Sequence, residues 1–289
     1  MRAELVCNGY GLVEGPVWDR NRGLLFSDVL FGGVFCLDRQ GQVTTIFEHR
    51  RGIGGMCLHA AGGMVVSGRN IAFKPFASSI SVTLLDRDLA AGRVGFNDLT
   101  ADASGRIYAG SLGSSPVFED GLTPRAGDLW LLDLDGSARI VAPDVQLTNG
   151  LAFAPDGRTL YHADSRRYSV FSYQVMDDGS LGPKTLFTTT ARGIPDGLVV
   201  ATDGSVWVAL AAGGHGVAVY DAAGRASDFV DIDVPMCTSV CFGGEDLRDL
   251  YIVSGSEGAA GDRAGGVYCV RTAVAGVAVA TARVALPSA

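Results

Sequence analysis

The sequence predicts an all-β fold, a six-bladed β-propeller whose blades are four-stranded antiparallel sheets around a central channel. The chain contains six similar segments, each an apolar strand-like run that ends in a polar or glycine-containing turn. Repeats of about 40 to 50 residues, made of strands and tight turns, are typical of propellers. The turns that set this spacing lie near Gly23, Gly63, Gly105, Gly157, Gly204 and Asp246.

The first unit shows how a blade is built. Its sequence, VEGPVWDRNRGLLFSDVLFGGVFCLDRQGQVTTIF, divides into four strand-like runs separated by DRNRG, LFGG and RQGQ. Apolar alternation and turn residues of this kind predict an antiparallel meander. Units two and three predict longer central loops, at 67–79 and 111–127, and the second of these is a candidate lid. We expect the N-terminal AELVCN strand to pair with the last unit, because a closed ring leaves no sheet edge exposed.

Composition narrows the classes of function. The 289 residues are expected to form a single domain, 1–289, because a propeller blade cannot bury both faces alone. The net charge of −8 and the lack of a basic cluster with interleaved aromatic residues argue against nucleic acid as a partner. No apolar run reaches the roughly 20 residues that span a bilayer, so no membrane interaction is expected. The N-terminus has no signal-peptide pattern, which makes the cytoplasm the default location.

Oxygen-bearing side chains recur at one register, near the start of the first strand of a unit. Asn97, Asn149 and Asp196 each precede their turn by 8 residues, and Glu14 precedes its turn by 9. Gly55 and Thr238 occupy this register in the other units. Each residue alone is compatible with ordinary turn chemistry, but independent turn residues need not share one register. If all inner strands start at one end of the channel, two carboxylates and two amides converge there, which suits one divalent cation: Ca²⁺, Zn²⁺, Mn²⁺ or Mg²⁺.

Several of these segments resemble the SMP-30/gluconolactonase/LRE-like family, the regucalcin-type lactonases. They occur in family order over nearly the whole chain: EGPVWD at 14–19, FND at 96–98, NGLAFAPDGRTLYHADS at 149–165, IPDGL at 194–198 and CTSVCFGG at 237–244. The resemblance implies a six-bladed propeller with one divalent cation in its channel. It implies that Glu14, Asn149 and Asp196 are metal ligands, with Asn97 as a companion amide close to metal or substrate. It also implies that Asp196 is the catalytic carboxylate.

The residues expected to contact the substrate do not share one register, and each is identified separately. Members that act on sugar lactones commonly have Arg two residues before this Asn, where the present chain has Gly95. Arg93 lies two residues further back and, by strand alternation, is a candidate substitute. Glu119, in the candidate lid, resembles a substrate-binding Glu of some members. His215 falls on a rim loop and is a further candidate contact, although a solvated loop residue is the simpler interpretation.

The resemblance and the oxygen ligands together predict a metal-dependent hydrolase that opens a small lactone. A bound cation polarises the carbonyl, and Asp196 takes a proton from the attacking water. One alternative is an esterase or phosphotriesterase that uses the same metal site on a less polar substrate, which Gly95 and the apolar residues expected in rim loops favour: Phe73, Phe76, Val117 and Phe118. Another is a non-catalytic calcium-binding propeller, because fold alone does not determine function.

Overall fold

The computed structural model describes residues 1–48, 50–118 and 121–287, and within them 24 β-strands form six four-stranded antiparallel sheets. The first strands of neighbouring sheets contact one another around a ring. This confirms the predicted all-β fold, a six-bladed propeller with four-stranded blades.

The strands of each blade follow one another in sequence from the inner to the outer edge. Blade 1 contains β2 (Val13–Asp19), β3 (Gly23–Asp28), β4 (Val34–Leu37) and β5 (Val43–Phe47). Blade 2 contains β6 (Met56–His59), β7 (Gly63–Val66), β8 (Asn70–Pro75) and β9 (Val82–Asp86). Blade 3 contains β10 (Gly95–Ala101), β11 (Ile107–Leu112), β12 (Gly127–Leu132) and β13 (Ala138–Val145). Blades 4 and 5 contain β14 (Thr148–Phe153), β15 (Thr159–Asp164), β16 (Ser169–Gln174) and β17 (Thr185–Thr189); and β18 (Ile194–Val200), β19 (Val206–Ala211), β20 (Gly216–Tyr220) and β21 (Ala226–Asp231). A short 3₁₀ helix, Ser165–Arg167, follows β15.

Blade 6 closes the ring with both ends of the chain. It contains β22 (Cys237–Gly243), β23 (Asp249–Ser254) and β24 (Gly265–Arg271), and its outermost strand is β1 (Glu4–Tyr10), which pairs antiparallel with β24. The expected pairing of the N-terminal strand with the last unit is therefore confirmed. Pairing the two termini in one sheet joins the first and last blades without a free edge between them.

Blade 2 differs from the expectation. The segment predicted as part of the loop 67–79 contains β8, and the irregular connection lies instead at 76–81, between the third and fourth strands. Phe73 is buried on β8, and Phe76 stacks on Phe47 at a centroid distance of 6.2 Å, so their assignment to a rim loop was wrong. Ile71 and Phe73 pack into the apolar cluster shared by blades 2 and 3, and this burial stabilises a strand there despite the terminal Pro75.

The segment after β24, residues 272–287, crosses the end of the ring opposite the start of the inner strands. We refer to it as the C-terminal tail. Its backbone amides donate hydrogen bonds to turns of several blades: from Gly276 to Leu247 (2.7 Å), from Val277 to Val200 (2.8 Å), from Ala282 to Leu58 (2.9 Å) and from Arg283 to Gly105 (2.8 Å). The tail was not anticipated from the sequence, because it contributes no strand of its own. No helix in the described part of the chain is long and apolar enough to cross a membrane.

Candidate active site in the central channel

A cavity of about 1460 Å³ opens at the end of the ring where the inner strands begin. The four oxygen-bearing register residues, Glu14, Asn97, Asn149 and Asp196, all line it. They come from the inner strands of blades 1, 3, 4 and 5. The structure thus brings together the side chains that the sequence placed at one register.

A β-bulge helps to set their position. In blades 3, 4 and 5 the register residue is one of two inner-strand residues that face a single residue of the second strand, and in blade 1 the same shift follows directly after Glu14. Bulges of this kind bend a strand and redirect a side chain, and they are common beside active sites. Register shifts were not among the features the sequence predicted, although a Gly after Glu14, Asn149 and Asp196 was visible there.

Hydrogen bonds link the register residues of blades 3, 4 and 5. Asn97 Nδ2 donates to the backbone oxygen of Thr148 (2.9 Å) and to Oδ1 of Asn149. Asn149 Nδ2 donates to Oγ of Ser165 (2.7 Å), and Ser165 Oγ donates to the backbone oxygen of Pro195 (2.6 Å), next to Asp196. These hydrogen bonds therefore fix the orientation of the Asn97 and Asn149 amides. The last of them ends at the backbone next to Asp196.

Ser165 was missed by the sequence reasoning. A weak signal for it exists, because a serine lies within one residue of the end of the second strand in blades 1 to 4 and 6: Ser27, Ser67, Ser111, Ser165 and Ser254. Ser27 uses the same geometry as Ser165, donating to the backbone oxygen of Ile53 (2.6 Å) in the following blade. Ser111 and Ser254 bond instead to Asp128 and Gly266 of their own blades, so the link to the next blade is seen for Ser27 and Ser165.

Three buried carboxyl groups repel one another in the channel. Burial, followed by the charges of Asp196 and Asp98, raises the pKa of Glu14 well above its ordinary value. Burial and then the charge of Asp98 raise the pKa of Asp196 well above its ordinary value. Asp98, beside Asn97 on β10, has a pKa raised to about 7 by burial. Asp98 was not among the predicted site residues.

The donor set suits a divalent cation. Oδ1 of Asp196 is buried and has no hydrogen-bond partner among the described residues. No three His, Cys, Asp or Glu side chains of residues 1–48, 50–118 and 121–287 are grouped as a metal site would require. A cation here would therefore depend on the carboxylates of Glu14 and Asp196 together with amide oxygen, and Oδ1 of Asn149 has a second lone pair to offer. Positive charge would also relieve the repulsion between the buried carboxyl groups.

Asn97 Oδ1 faces blade 2 rather than the two carboxylates. A Cβ on Gly54 would lie 2.0 Å from this oxygen, so only glycine leaves room for the side chain in its present position. Gly54 also lines the cavity. The absence of a side chain at this position is thus part of how Asn97 is held.

The remaining predicted contacts are dispersed. The Arg93 guanidinium lies over the Trp130 ring (4.5 Å to the centroid) and donates to the backbone oxygen of Asp86 (3.3 Å), and Arg93 does not line the cavity among the described residues. His215 is exposed, with φ of +57°, and in the described chain it too is absent from the cavity wall. Glu119 lies outside the described residues. The geometry therefore offers no support for Arg93 as a substitute for the family arginine, because its cation is already stacked on an aromatic ring between strands.

The presence of glycine at position 95 is explained by the close approach of β10 to blade 2. The backbone of Phe96 exchanges hydrogen bonds with that of Gly68 (2.7 and 3.2 Å), which joins the start of β10 to blade 2. A Cβ on Gly95 would lie 2.7 Å from the backbone oxygen of Gly68. The close approach of the two strands thus leaves no space for an arginine side chain without a shift of the backbone.

Six-bladed propellers with channels lined by carboxylates and amides include both enzymes and binding modules. Similarity to known proteins shows to which family this chain belongs. The model of the SMP-30/Gluconolactonase/LRE-like region matches residues 12–256. The chain belongs to this family, which confirms the resemblance.

Named relatives cover almost the whole chain. A 6-deoxy-6-sulfogluconolactonase of Pseudomonas putida is 33% identical over 279 residues, which is 92% of this chain and 93% of the relative. Regucalcin of Gallus gallus is 30% identical, covering 86% of this chain and 85% of its own length. Among solved structures, a luciferin-regenerating enzyme superposes with a TM-score of 0.85 at 24% identity, covering 97% of this chain and 99% of its own. This last likeness shows the fold alone.

Proposed function

We propose that this protein is a metal-dependent lactonase that hydrolyses a sugar lactone or a related small lactone. The observation that carries the proposal is the convergence of Glu14, Asn97, Asn149 and Asp196 on one cavity. Membership of a family that includes a 6-deoxy-6-sulfogluconolactonase supports the reaction class. A propeller that binds neither metal nor substrate has no need for a buried carboxylate oxygen without a partner, such as Oδ1 of Asp196.

Glu14, Asn149 and Asp196 would hold the cation, with Asn97 orienting Asn149 through its hydrogen bond. When bound, a divalent cation supplies Lewis-acid chemistry for a carbonyl group and lowers the pKa of water. Ca²⁺, Zn²⁺, Mn²⁺ and Mg²⁺ all accept such oxygen ligands. The protein's own contribution is to fix these oxygen atoms in a water-poor channel by bulges and hydrogen bonds.

Asp196 is the proposed general base. Its free Oδ1 accepts a proton from water as the water oxygen bonds to the lactone carbonyl carbon. The ring C–O bond then breaks, and the proton returns to the departing ring oxygen, so that the product is a hydroxy acid. Burial and the charge of Asp98 raise the pKa of Asp196, and positive charge placed beside it would lower that pKa, which ties its basicity to the loaded state.

The alternative of a less polar ester or a phosphotriester substrate has one observation in its favour. Leu89, Val117 and Leu122 are exposed apolar side chains that line the outer part of the cavity. Exposed apolar surface within a cavity is typical of a binding region. A wall of this kind could take a substrate with few hydroxyl groups.

One experiment tests these proposals together. The protein would be treated with a chelator, reloaded with Ca²⁺, Zn²⁺, Mn²⁺ or Mg²⁺ separately, and assayed on sugar lactones, unsubstituted lactones, aryl esters and a phosphotriester. We expect metal-dependent turnover that is greatest on lactones. Preference for the esters or the phosphotriester would favour the alternative, and metal binding without turnover of any substrate would favour a calcium-binding module.

A further inference from the structure

Four arginines line the outer part of the same cavity, on the side formed by blades 2 and 3. They are Arg51, Arg69, Arg87 and Arg125, and all four are exposed. They are far apart in sequence, coming from the link between blades 1 and 2, the β7–β8 loop, the segment after β9 and the β11–β12 loop. The fold gathers them at the mouth of a channel whose inner end holds the carboxylates.

Two of the arginines flank the segment that leads into the site. Arg69 Cα lies 3.6 Å from the place that a Cβ on Gly95 would occupy. Arg125 Nη1 lies 3.3 Å from the corresponding place on Gly92. Gly92 and Gly95 precede Asn97 by five and two residues, so the Arg69 backbone and the Arg125 guanidinium lie beside the segment that leads to this register residue.

Within residues 1–48, 50–118 and 121–287, these four arginines have no carboxylate partner. Among the described residues, no carboxylate forms an ion pair within 4.0 Å of the side-chain nitrogens of these four arginines. The half-buried Arg50 lies behind Arg69 and donates to Oδ1 of Asn70 (2.8 Å). Its pKa is lowered by burial and then by the charge of Arg69, which shows that positive charge accumulates on this side.

The opposite wall carries acidic residues. Glu257 and Asp262, from the β23–β24 loop, also line the cavity. The mouth is therefore polarised, with guanidinium groups on one wall and carboxylates on the other. Such an arrangement both attracts an anion and orients it as it enters.

We propose that Arg51, Arg69, Arg87 and Arg125 form a subsite for an oxyanion carried by the substrate, so that the preferred lactone is one that bears a carboxylate, sulfonate or phosphate away from the ring carbonyl. The inference rests on the proposed lactonase function for its reaction. Guanidinium groups suit such an anion because their planar arrays of N–H donors match its oxygen atoms. Gly95 offers no side chain to a ring hydroxyl beside Asn97, whereas the mouth is rich in arginine. The protein would therefore recognise a charged substituent of the lactone rather than the hydroxyl groups of its ring.

The test uses glucono-1,5-lactones that differ only at carbon 6, which bears a hydroxyl, carboxylate, sulfonate or phosphate group. For the metal-loaded wild type we expect kcat/KM to be at least about tenfold higher for one or more anionic lactones than for the hydroxyl lactone, because a charged hydrogen bond contributes about a factor of 10 or more. Raising the ionic strength should reduce this preference. The member with the highest value identifies the oxyanion.

Arg69→Gln combined with Arg125→Gln should lower kcat/KM on the anionic lactones much more than on the hydroxyl lactone, and so remove most of the preference. Glu257→Gln, on the opposite wall, is the matched control and should maintain or increase the preference. Equal turnover of all four lactones by wild type would overturn the proposal while leaving the lactonase function in place. An equal loss on all four lactones in the double variant would also overturn it, because the arginines would then support structure rather than recognition.

Equilibrium binding separates this inference from the proposed reaction. Calorimetric titration of wild type with 6-phosphogluconate and with gluconate should show tighter binding of the phosphate compound, and the double variant should lose the difference. If no lactone is hydrolysed but this difference is found, the lactonase proposal fails and the anion subsite stands. If 6-phosphogluconate, 6-sulfogluconate and glucarate all bind no more tightly than gluconate, the subsite proposal fails.

Discussion

Asn97 donates a hydrogen bond through Nδ2 to Oδ1 of Asn149, so the register residues of the neighbouring blades 3 and 4 hold each other in place. The same Nδ2 donates to the backbone oxygen of Thr148 at 2.9 Å. Asn149 in turn donates to Ser165, and Ser165 donates to the backbone oxygen of Pro195, the residue before Asp196. Displacing Asn97, Asn149 or Ser165 should therefore change the positions of the other two.

Gly54→Ala should displace Asn97 without unfolding the protein. The new Cβ would lie 2.0 Å from Asn97 Oδ1, and the misplacement of a catalytic group by about 1 Å can cost of the order of 10²-fold in rate. The measurement is kcat/KM on the best lactone, with a thermal melt to check folding. Gly182→Ala is the control, because its Cβ would meet its nearest neighbour at an ordinary 3.4 Å, and it should change neither quantity. Normal activity of Gly54→Ala would show that the position of Asn97 is unimportant.

Ser165→Ala should weaken both the protein and its hold on metal. The change leaves Nδ2 of Asn149 and the backbone oxygen of Pro195 without their partner, at a cost of about 1–3 kcal/mol. Metal affinity should fall as well, because Asn149 is no longer oriented. Ser254→Ala removes a buried serine from the comparable position of blade 6, where it bonds to Gly266, and should affect stability only. Equal metal affinity in the two variants would refute an orienting role for Ser165.

Metal binding should depend jointly on Glu14 and Asp196. Glu14→Gln and Asp196→Asn preserve shape but remove one negative charge each, and carboxylates are the stronger ligands of a hard cation. After dialysis, the metal content of each variant is expected to fall well below one equivalent. Glu257→Gln, which changes an exposed carboxylate at the mouth, should retain the wild-type content. If Glu14→Gln and Asp196→Asn both bind one equivalent as tightly as wild type, the cation lies elsewhere.

Asp196 should contribute more than ligation. At saturating metal, Asp196→Asn is expected to lose at least the ~10²-fold in kcat that removal of a general base costs. Glu14→Gln at saturating metal should retain more activity, because Glu14 has no proposed proton-transfer role. Turnover by the loaded Asp196→Asn variant within a few-fold of wild type would remove Asp196 from the chemical step.

The metal-free protein should lose stability as the pH rises from about 5 to about 7.5. The pKa values of Glu14, Asp98 and Asp196 are raised in the folded state, to about 7 for Asp98, so the folded protein binds more protons than the unfolded chain in this range. The free energy of unfolding then decreases with pH, by at most about 1.4 kcal/mol per pH unit for each group. Urea melts in the presence of chelator would measure it. Asp98→Asn and saturating metal should each flatten the dependence, and a rise of stability over the same range would contradict the prediction.

The sequence predicted the propeller and the register residues because both depend on a local pattern that repeats. Glu14, Asn97, Asn149 and Asp196 each follow from their own blade, and the ring brings them together. Features that depend on contacts between blades were not predictable in the same way. Ser165 bonds to the next blade, and Phe73 is buried because blade 3 packs against it.

The arginines of the mouth show the same limit. Arg51, Arg69, Arg87 and Arg125 are separated by 18 or more residues in sequence, so no local cluster of basic residues was apparent. The position of Arg93 was misjudged for a related reason. Strand alternation was extended to a residue that precedes β10, where the side chain instead stacks on Trp130 of the same blade.

The C-terminal tail has a consequence for how the molecule exchanges its ligands. Because residues 272–287 bond to blades 2, 3, 5 and 6 at the far end of the ring, we expect ligands to enter and leave through the same opening at the opposite end. Hydrolysis of a lactone creates a new carboxylate, so the product leaves with one more negative charge than the substrate brought in. It must pass the guanidinium groups that attracted the substrate. Fast turnover therefore requires that these groups bind neither anion too tightly, and salt, which slows capture, should also speed departure.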